Sequence, residues 1–347
     1  MIKVDYIIVG QGIAGSMVAH FLLEKNKKVF VIDQSCPNSA SNIASGVVNP
    51  ITGRRIVKTW MIDDILPFVK VIYRQIENKL NASFFFEQEI YKLFTSKDDV
   101  SIWCKKKNDR DYSEYLGDII DLNEKKILTP FGAGIIRKGC WMDVPGFIKT
   151  YRNYLFKNNY LLEEKFEIHN LLISDTISYK NIIADKIIFC EGYKAHLNPF
   201  FSFIPFSFAK GEYISIHSKD LQSSKILNKN IYIIPKGNDI YNVGSTFSWD
   251  DLEETITETG KAEICQKLEK IISCPYTIIE EKAGIRPTII DRRPVIGVHP
   301  NHPNLYIFNG LGTKGVSLAP YFANHFVSHL INNEMILDEI SVSRFVL

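Results

Sequence analysis

The residues with the most evident chemical use stand at the two ends of the chain. Near the start lies Gly10-Gln11-Gly12-Ile13-Ala14-Gly15, and the next apolar run ends at Asp33. Near the end lie Gly284-Ile285-Arg286-Pro287, then Asp291, Pro294 and Gly297. After them Gly310-Leu311-Gly312-Thr313-Lys314-Gly315 runs into Val316-Ser317-Leu318-Ala319-Pro320. In the first group Gly10 permits a tight turn, Gly12 lets the backbone approach a pyrophosphate, and Gly15 lets a helix pack closely on a strand. The helix start turns free N–H groups and a positive dipole end toward phosphates, and the Asp33 carboxylate can accept from ribose hydroxyls. In the last group the glycines free a loop to lie against a flat ligand. The helix start beyond it offers donors to a carbonyl or a developing negative charge.

These groups need elements to hold them. Val4–Val9 is a short β-branched run of the kind buried in parallel sheets. Met17, Val18, Phe21 and Leu22 then fall on one helix face. Lys28–Ile32 is a second strand. The order strand, glycine motif, helix, strand, acid is that of a dinucleotide-binding βαβ unit. Residues 36–50 form a loop of small side chains with no periodicity, which allows close backbone approach to a ligand. A helix is expected over 63–80, and short strands and loops over 82–139. A second helix is expected over 144–158, with Asp143 as its cap and Pro145 in its first turn. Leu161–Leu172 reads as one or two strands, and Lys186–Cys190 as a buried strand ending in Glu191-Gly192. Ile231–Ile234 and Ile240–Val243 flank a turn and read as a hairpin. A helix follows near 255–273. Leu305–Asn309 is another buried strand, and Pro320 is expected in the first turn of the last helix.

Phosphate-binding glycines at one end and ligand-edge glycines at the other can meet one ligand only if the chain leaves a domain and returns. The expected architecture is α/β: a Rossmann-type domain from residues 1–60, 140–200 and 280–347, with an α+β domain on a mixed sheet from 61–139 and 201–279. The glycine motif alone does not separate NAD from FAD. A motif at the very N-terminus, followed by some 300 further residues, favours FAD, whose long body needs contacts from distant segments.

Composition excludes several classes. The 347 residues are 46% hydrophobic and 23% charged, so a disordered or fibrous chain is ruled out. With 41 basic and 39 acidic residues the net charge is +2, which gives nucleic acid or an anionic membrane surface little support. The six cysteines make no Cys-x-x-Cys pair and read as free thiols. The eight histidines show no metal-ligand spacing, so no metal is expected. No apolar run is long enough to span a bilayer, and a cytoplasmic location is expected. Lys105-Lys106-Lys107 reads as a solvated loop. Arg54 and Arg55 either line a site entrance or face solvent.

Taken together, the N-terminal glycine motif, Ala44-Ser45-Gly46-Val47, the Gly284–Gly297 run and the Gly310–Pro320 loop resemble the D-amino-acid oxidase-like FAD-dependent oxidoreductases. The nearest types are glycine oxidases and the FAD part of a tRNA wobble-uridine modification enzyme. The resemblance implies FAD and oxidation of a C–N bond in a small amine or amino acid, by hydride transfer to flavin N5, with dioxygen an acceptor it allows. It implies that Gly10, Gly12, Gly15 and Asp33 hold the ADP half, that Phe166 lies near adenine, and that Ile13, Ala14, Gln34, Ser41 and Gly192 also bind the cofactor. It also implies Ser45, Gly46 and Val47 near the flavin, and Gly312, Thr313, Lys314, Gly315, Val316, Ser317 and Leu318 along its pyrimidine edge. Arg286 matches an arginine that grips a substrate carboxylate, and Lys314 would stabilise a reduced, anionic flavin. Residues 283–300 hold no cysteine, so the cofactor is expected to be non-covalent. The alternative is removal of a carboxymethyl group from a modified uridine in tRNA, which would need a basic surface.

Overall fold

The structure is a computed structural model that describes residues 1–346. Two eight-stranded sheets dominate it. In the first, Leu161–Leu162, Val29–Ile32, Ile2–Val9 and Ile182–Phe189 lie side by side in parallel, and His302–Asn309 joins Ile182–Phe189 in parallel. Val295–His299 pairs antiparallel with His302–Asn309, and Ile177–Tyr179 and Leu171–Ile173 complete the sheet. The register pairs Val9 with both Ile32 and Phe189, and Phe189 with Ile307. Gly10, Asp33, Cys190 and Gly310 therefore leave the sheet along one edge, the carboxyl ends of parallel strands, where open α/β sheets bind ligands.

The described residues contain six α-helices: α1 (Ile13–Glu24), α2 (Ile62–Leu80), α3 (Lys97–Lys107), α4 (Val144–Lys157), α5 (Glu258–Leu268) and α6 (Gly315–Asn332). Helices α1, α2, α4 and α6 contribute to one hydrophobic core, which also includes Tyr6, Ile8, Val31, Tyr306 and Phe308 of the first sheet. Their inward residues include Met17, Leu22, Ile65, Tyr73, Phe147, Phe322 and Phe326. Val4, Ile7, Phe30, Ile187, Phe189 and Ile307 face the other way, into a second core. Counting α2 with residues 61–139 of the other domain therefore misses where it packs. Its Ile65, Leu66, Val69, Ile72 and Tyr73 stripe has the α1–α6 layer to bury against.

Pro320 also departs from expectation. Because α6 begins at Gly315, Pro320 lies inside the helix, past the first turn. A proline there removes the donor to the carbonyl four residues back, that of Val316. The buried Tyr73 hydroxyl donates to Val316 O at 2.8 Å and takes the missing donor's place. Asp143 occupies the cap position of α4 without a side-chain cap bond.

The second sheet runs in the order Thr277–Arg286, Ala209–His217, Ile240–Gly244, Tyr232–Gly237, Ile226–Asn228, Ile90–Leu93, Ala133–Ile136, Leu116–Ile120. Residues 280–286 thus belong to this sheet, not the first. Alternate residues divide its faces. Ile214, Ile216, Leu227, Tyr241 and Val243 share a core with Ile264 and Leu268 of α5. The other face turns toward the edge of the first sheet. Helix α3 falls where the sequence suggested loops, and Lys105–Lys107 form its last turn. Only Asp99 and Trp103 of α3 are buried, too few for an apolar stripe to be visible in the sequence.

Candidate active site

Between the carboxyl edge of the first sheet and the free face of the second lies a cavity of about 1040 Å³. Gly10 turns at φ +99°, and a Cβ there would sit 2.4 Å from the Cys190 carbonyl oxygen. A Cβ on Gly15 would meet the Gly10 carbonyl at 1.9 Å. Gly10, Gly12, Ile13 and Ala14 line the cavity; Gly15 does not, and serves helix–strand packing instead. Helix α1 starts with no side-chain cap and no acid in its first turn. Ser41 Oγ accepts from the Ile13 N–H at 3.0 Å, which ties the 36–50 loop to the helix start.

Asp33 is more committed than the sequence suggested. Oδ2 accepts from the Gln11 N–H at 2.8 Å, and Oδ1 accepts from the Ser35 N–H and from Arg152 Nη1, both at 2.7 Å. Three of about four acceptor positions are filled, leaving room for one further donor. Arg152 also donates to the Asp33 carbonyl at 2.9 Å and pairs with Glu163 at 3.0 Å. It braces the acid from α4, far away in sequence.

Gln34, Ser45, Gly46, Val47, Phe166 and Gly192 all line the cavity. Gly46, at φ +79°, passes so close to Met142 that a Cβ would meet its carbonyl oxygen at 1.9 Å. Phe166 stacks on Tyr179 with centroids 4.6 Å apart, in irregular chain beyond the short strand expected to carry it. The Gly192 carbonyl accepts from Asn309 Nδ2 at 2.9 Å. Glu191 beside it is recessed in the wall; burial pushes its carboxyl up to about 7, while Asn198 Nδ2 donates to it at 2.8 Å. Gly312, Thr313, Lys314, Gly315 and Val316 line the opposite wall. Ser317 and Leu318 do not: the first turn of α6 points them into the core, where both are buried.

Arg286 crosses the cavity face of its neighbouring strand above Gly211, where a Cβ would sit 1.8 Å from its Nη2. Nη1 donates to the Lys210 carbonyl at 3.0 Å, and Nη2 to Ser245 Oγ at 2.7 Å and to the Thr246 carbonyl at 3.3 Å. The Phe247 ring centroid lies 4.2 Å from Cζ. Every partner is neutral, and no carboxylate pairs with it among the described residues. Burial pushes its guanidinium down to about 10. A cation held this way, with donors to spare, is prepared for an anion. Lys314 is also lowered, by burial first and then by Arg293 and Arg292. Arg54 reaches the cavity wall, and Arg55 is exposed beside it.

The sequence reading missed the ceiling. Tyr213, Gly244, Tyr232, Asn228 and Lys92 form one row across five strands, all on the cavity face. Tyr232 Oη accepts from Asn49 Nδ2 at 2.9 Å, which joins the ceiling to the small-residue loop. Burial raises the Tyr213 hydroxyl, so it remains a neutral donor.

Residues 5–328 match the DAO family, FAD dependent oxidoreductase. The chain belongs to this family. It is 25% identical to the uncharacterized oxidoreductase YurR of Bacillus subtilis, over 96% of each protein. It is 22% identical to the glycine oxidase of that organism, over 95% of this chain and 93% of the relative. The glycine oxidase of Geobacillus kaustophilus superposes with a TM-score of 0.81 at 16% identity, covering 99% of this chain and 98% of the other. The protein is thus an FAD-dependent oxidoreductase of a family acting on amino acids or amines. The cavity fits such a cofactor: glycine turns with no room for a Cβ, a helix start with no acid in its first turn, and a second glycine loop facing them. Among the described residues no helix is long and apolar enough to cross a membrane, and no cluster of three metal-ligating side chains occurs.

Proposed function

We propose that the protein oxidises the C–N bond of a small amino acid or N-substituted amine bearing a carboxylate. The observation that carries this reading is Arg286, a buried guanidinium facing the cavity with only neutral partners. A carboxylate would complete it through charge-assisted bonds to the Nε and Nη1 donors that the protein leaves free. Gly10, Gly12, Ile13, Ala14, Asp33, Gln34, Ser41 and Phe166 would hold the ADP half of FAD, with Gly192 beside the cofactor. Ser45, Gly46, Val47 and Gly312–Val316 would hold its flavin half. When bound, FAD supplies the hydride acceptor that no side chain can provide. Arg286 fixes the substrate's carboxylate and so orients its α-carbon. Tyr213 and Tyr232 close the site against water from above. Lys314 and the start of α6 place positive charge where negative charge develops. The amine loses hydride and proton as an imine, which water hydrolyses to a carbonyl and the smaller amine. The discontinuous two-domain division accords with this reading, with α2 on the cofactor side and the strand Thr277–Arg286 in the ceiling.

The test is anaerobic mixing of the purified yellow protein with amino acids and N-alkylglycines while following the visible flavin band. Bleaching by at least one carboxylate-bearing amine is expected. Arg286→Lys should keep its flavin yet lose roughly tenfold to a hundredfold in kcat/KM, because lysine keeps the charge but not the planar fork. No bleaching by any of them, or loss of flavin from Arg286→Lys, would overturn the reading.

A further inference from the structure

The cavity has a second cationic end. Lys92 lies on the strand Ile90–Leu93, at the opposite end of the ceiling row from Tyr213. It lines the cavity, and burial lowers its ammonium, with Asp99 acting weakly the other way. Asp99 does not neutralise it. Asp99 Oδ2 accepts from the Thr95 N–H at 2.9 Å and from the Thr95 hydroxyl, and Oδ1 lies 3.7 Å from Arg54 Nε. Two cations thus face one carboxylate, leaving about one net positive charge at this end. Lys229 also lines this end, with its Nζ donating to the neutral Lys270 carbonyl at 2.8 Å. Asn228, Lys92's direct neighbour in the row, adds an amide to the same wall.

The separation of the two ends constrains the ligand. The Arg286 guanidinium sits over Gly211 on the strand Ala209–His217, four strand spacings from Lys92. That is roughly 19 Å along the sheet, shortened by the reach of the lysine side chain. A molecule the size of glycine cannot touch both.

We propose that Lys92, with Arg54 at the rim, forms a second anion subsite. The preferred substrate is then an extended amine: a carboxylate at Arg286, the oxidisable C–N bond beside it, and a tail ending in a second anionic oxygen group. This rests on the amine-oxidation reading for what is done to the substrate, but the subsite can be tested without turnover. The holoenzyme is titrated with straight-chain monocarboxylates and α,ω-dicarboxylates of increasing length, and Kd is read from the shift of the flavin band. A parallel series ends in phosphonate, to separate a carboxylate tail from a phosphate-bearing one. Long dicarboxylates or phosphonates should bind roughly tenfold tighter than monocarboxylates of equal length. Lys92→Met should abolish that ratio and Lys92→Arg should retain it. Equal affinities at every length in the wild type, or a ratio that survives Lys92→Met, would overturn the proposal. If the ratio behaves as expected but no amine with such a tail bleaches the flavin, the oxidation reading fails alone.

Discussion

Adding one methyl group at Gly211 tests whether Arg286 acts through its exact position. Its Cβ would lie 1.8 Å from Arg286 Nη2, 2.2 Å from Cζ and 2.6 Å from Nη1. Carbon and nitrogen need about 3.5 Å, so in Gly211→Ala the guanidinium retreats by roughly 1.5 Å or more. A retreat of that size breaks the 2.7 Å bond to Ser245 and the 3.0 Å bond to the Lys210 carbonyl. The obstacle is the end of a side chain rather than a main chain, so the fold survives at an overpacking cost of about 1–3 kcal/mol. Orientation does not survive, because a displacement of about 1 Å can cost on the order of a hundredfold in rate. Stopped-flow anaerobic reduction should show that loss. Flavin content should stay equal to the wild type, and carboxylate inhibitors should bind more weakly. A variant that reduces its flavin at the wild-type rate, with unchanged inhibitor affinity, would refute the positioning argument.

Gly15→Ala meets a main-chain oxygen at 1.9 Å instead, so it should emerge from purification depleted of flavin; full occupancy would contradict the packing role. Glu191, with its carboxyl raised to about 7, binds more protons folded than unfolded. Stability should therefore fall as pH rises from about 4.5 to about 7. Glu191→Gln should remove that part of the slope, at most about 3 kcal/mol, in urea titrations of the apoprotein at pH 5 and 7.5. Tyr73→Phe leaves the buried Val316 carbonyl without its donor. It should cost about 1–3 kcal/mol, seen as a lower urea midpoint at unchanged slope.

What could be read from the sequence was local. The βαβ unit is contiguous, its strands are apolar throughout, and its glycines follow the first strand directly, so the cofactor floor was legible. So were the hairpin, resolved as Tyr232–Gly237 and Ile240–Gly244, and α2 and α4, whose ends agree to within a residue or so. Asp33 was found, but the arginine that braces it lies at position 152, and no local pattern links the two. The ceiling was hidden for a sharper reason. Tyr213, Tyr232, Asn228 and Lys92 become neighbours only through the register of five strands, one of them more than a hundred residues from the rest. One positional signal existed: Lys92, Asn228 and Asn242 are polar residues on apolar strands, at the alternate positions that face away from α5. The last helix was placed in time, but its first turn was read one turn too late, which put Ser317 and Leu318 on the ligand.

The pairing of Ile182–Phe189 with His302–Asn309 bears on when during synthesis the cofactor can be captured. The Gly10–Gly15 turn is translated well before the glycine loop opposite it, which follows the strand His302–Asn309. Until residues 302–316 emerge, the nascent chain has a floor and a ceiling but lacks one wall. Flavin capture is then a late event that closes the fold rather than a seed that starts it.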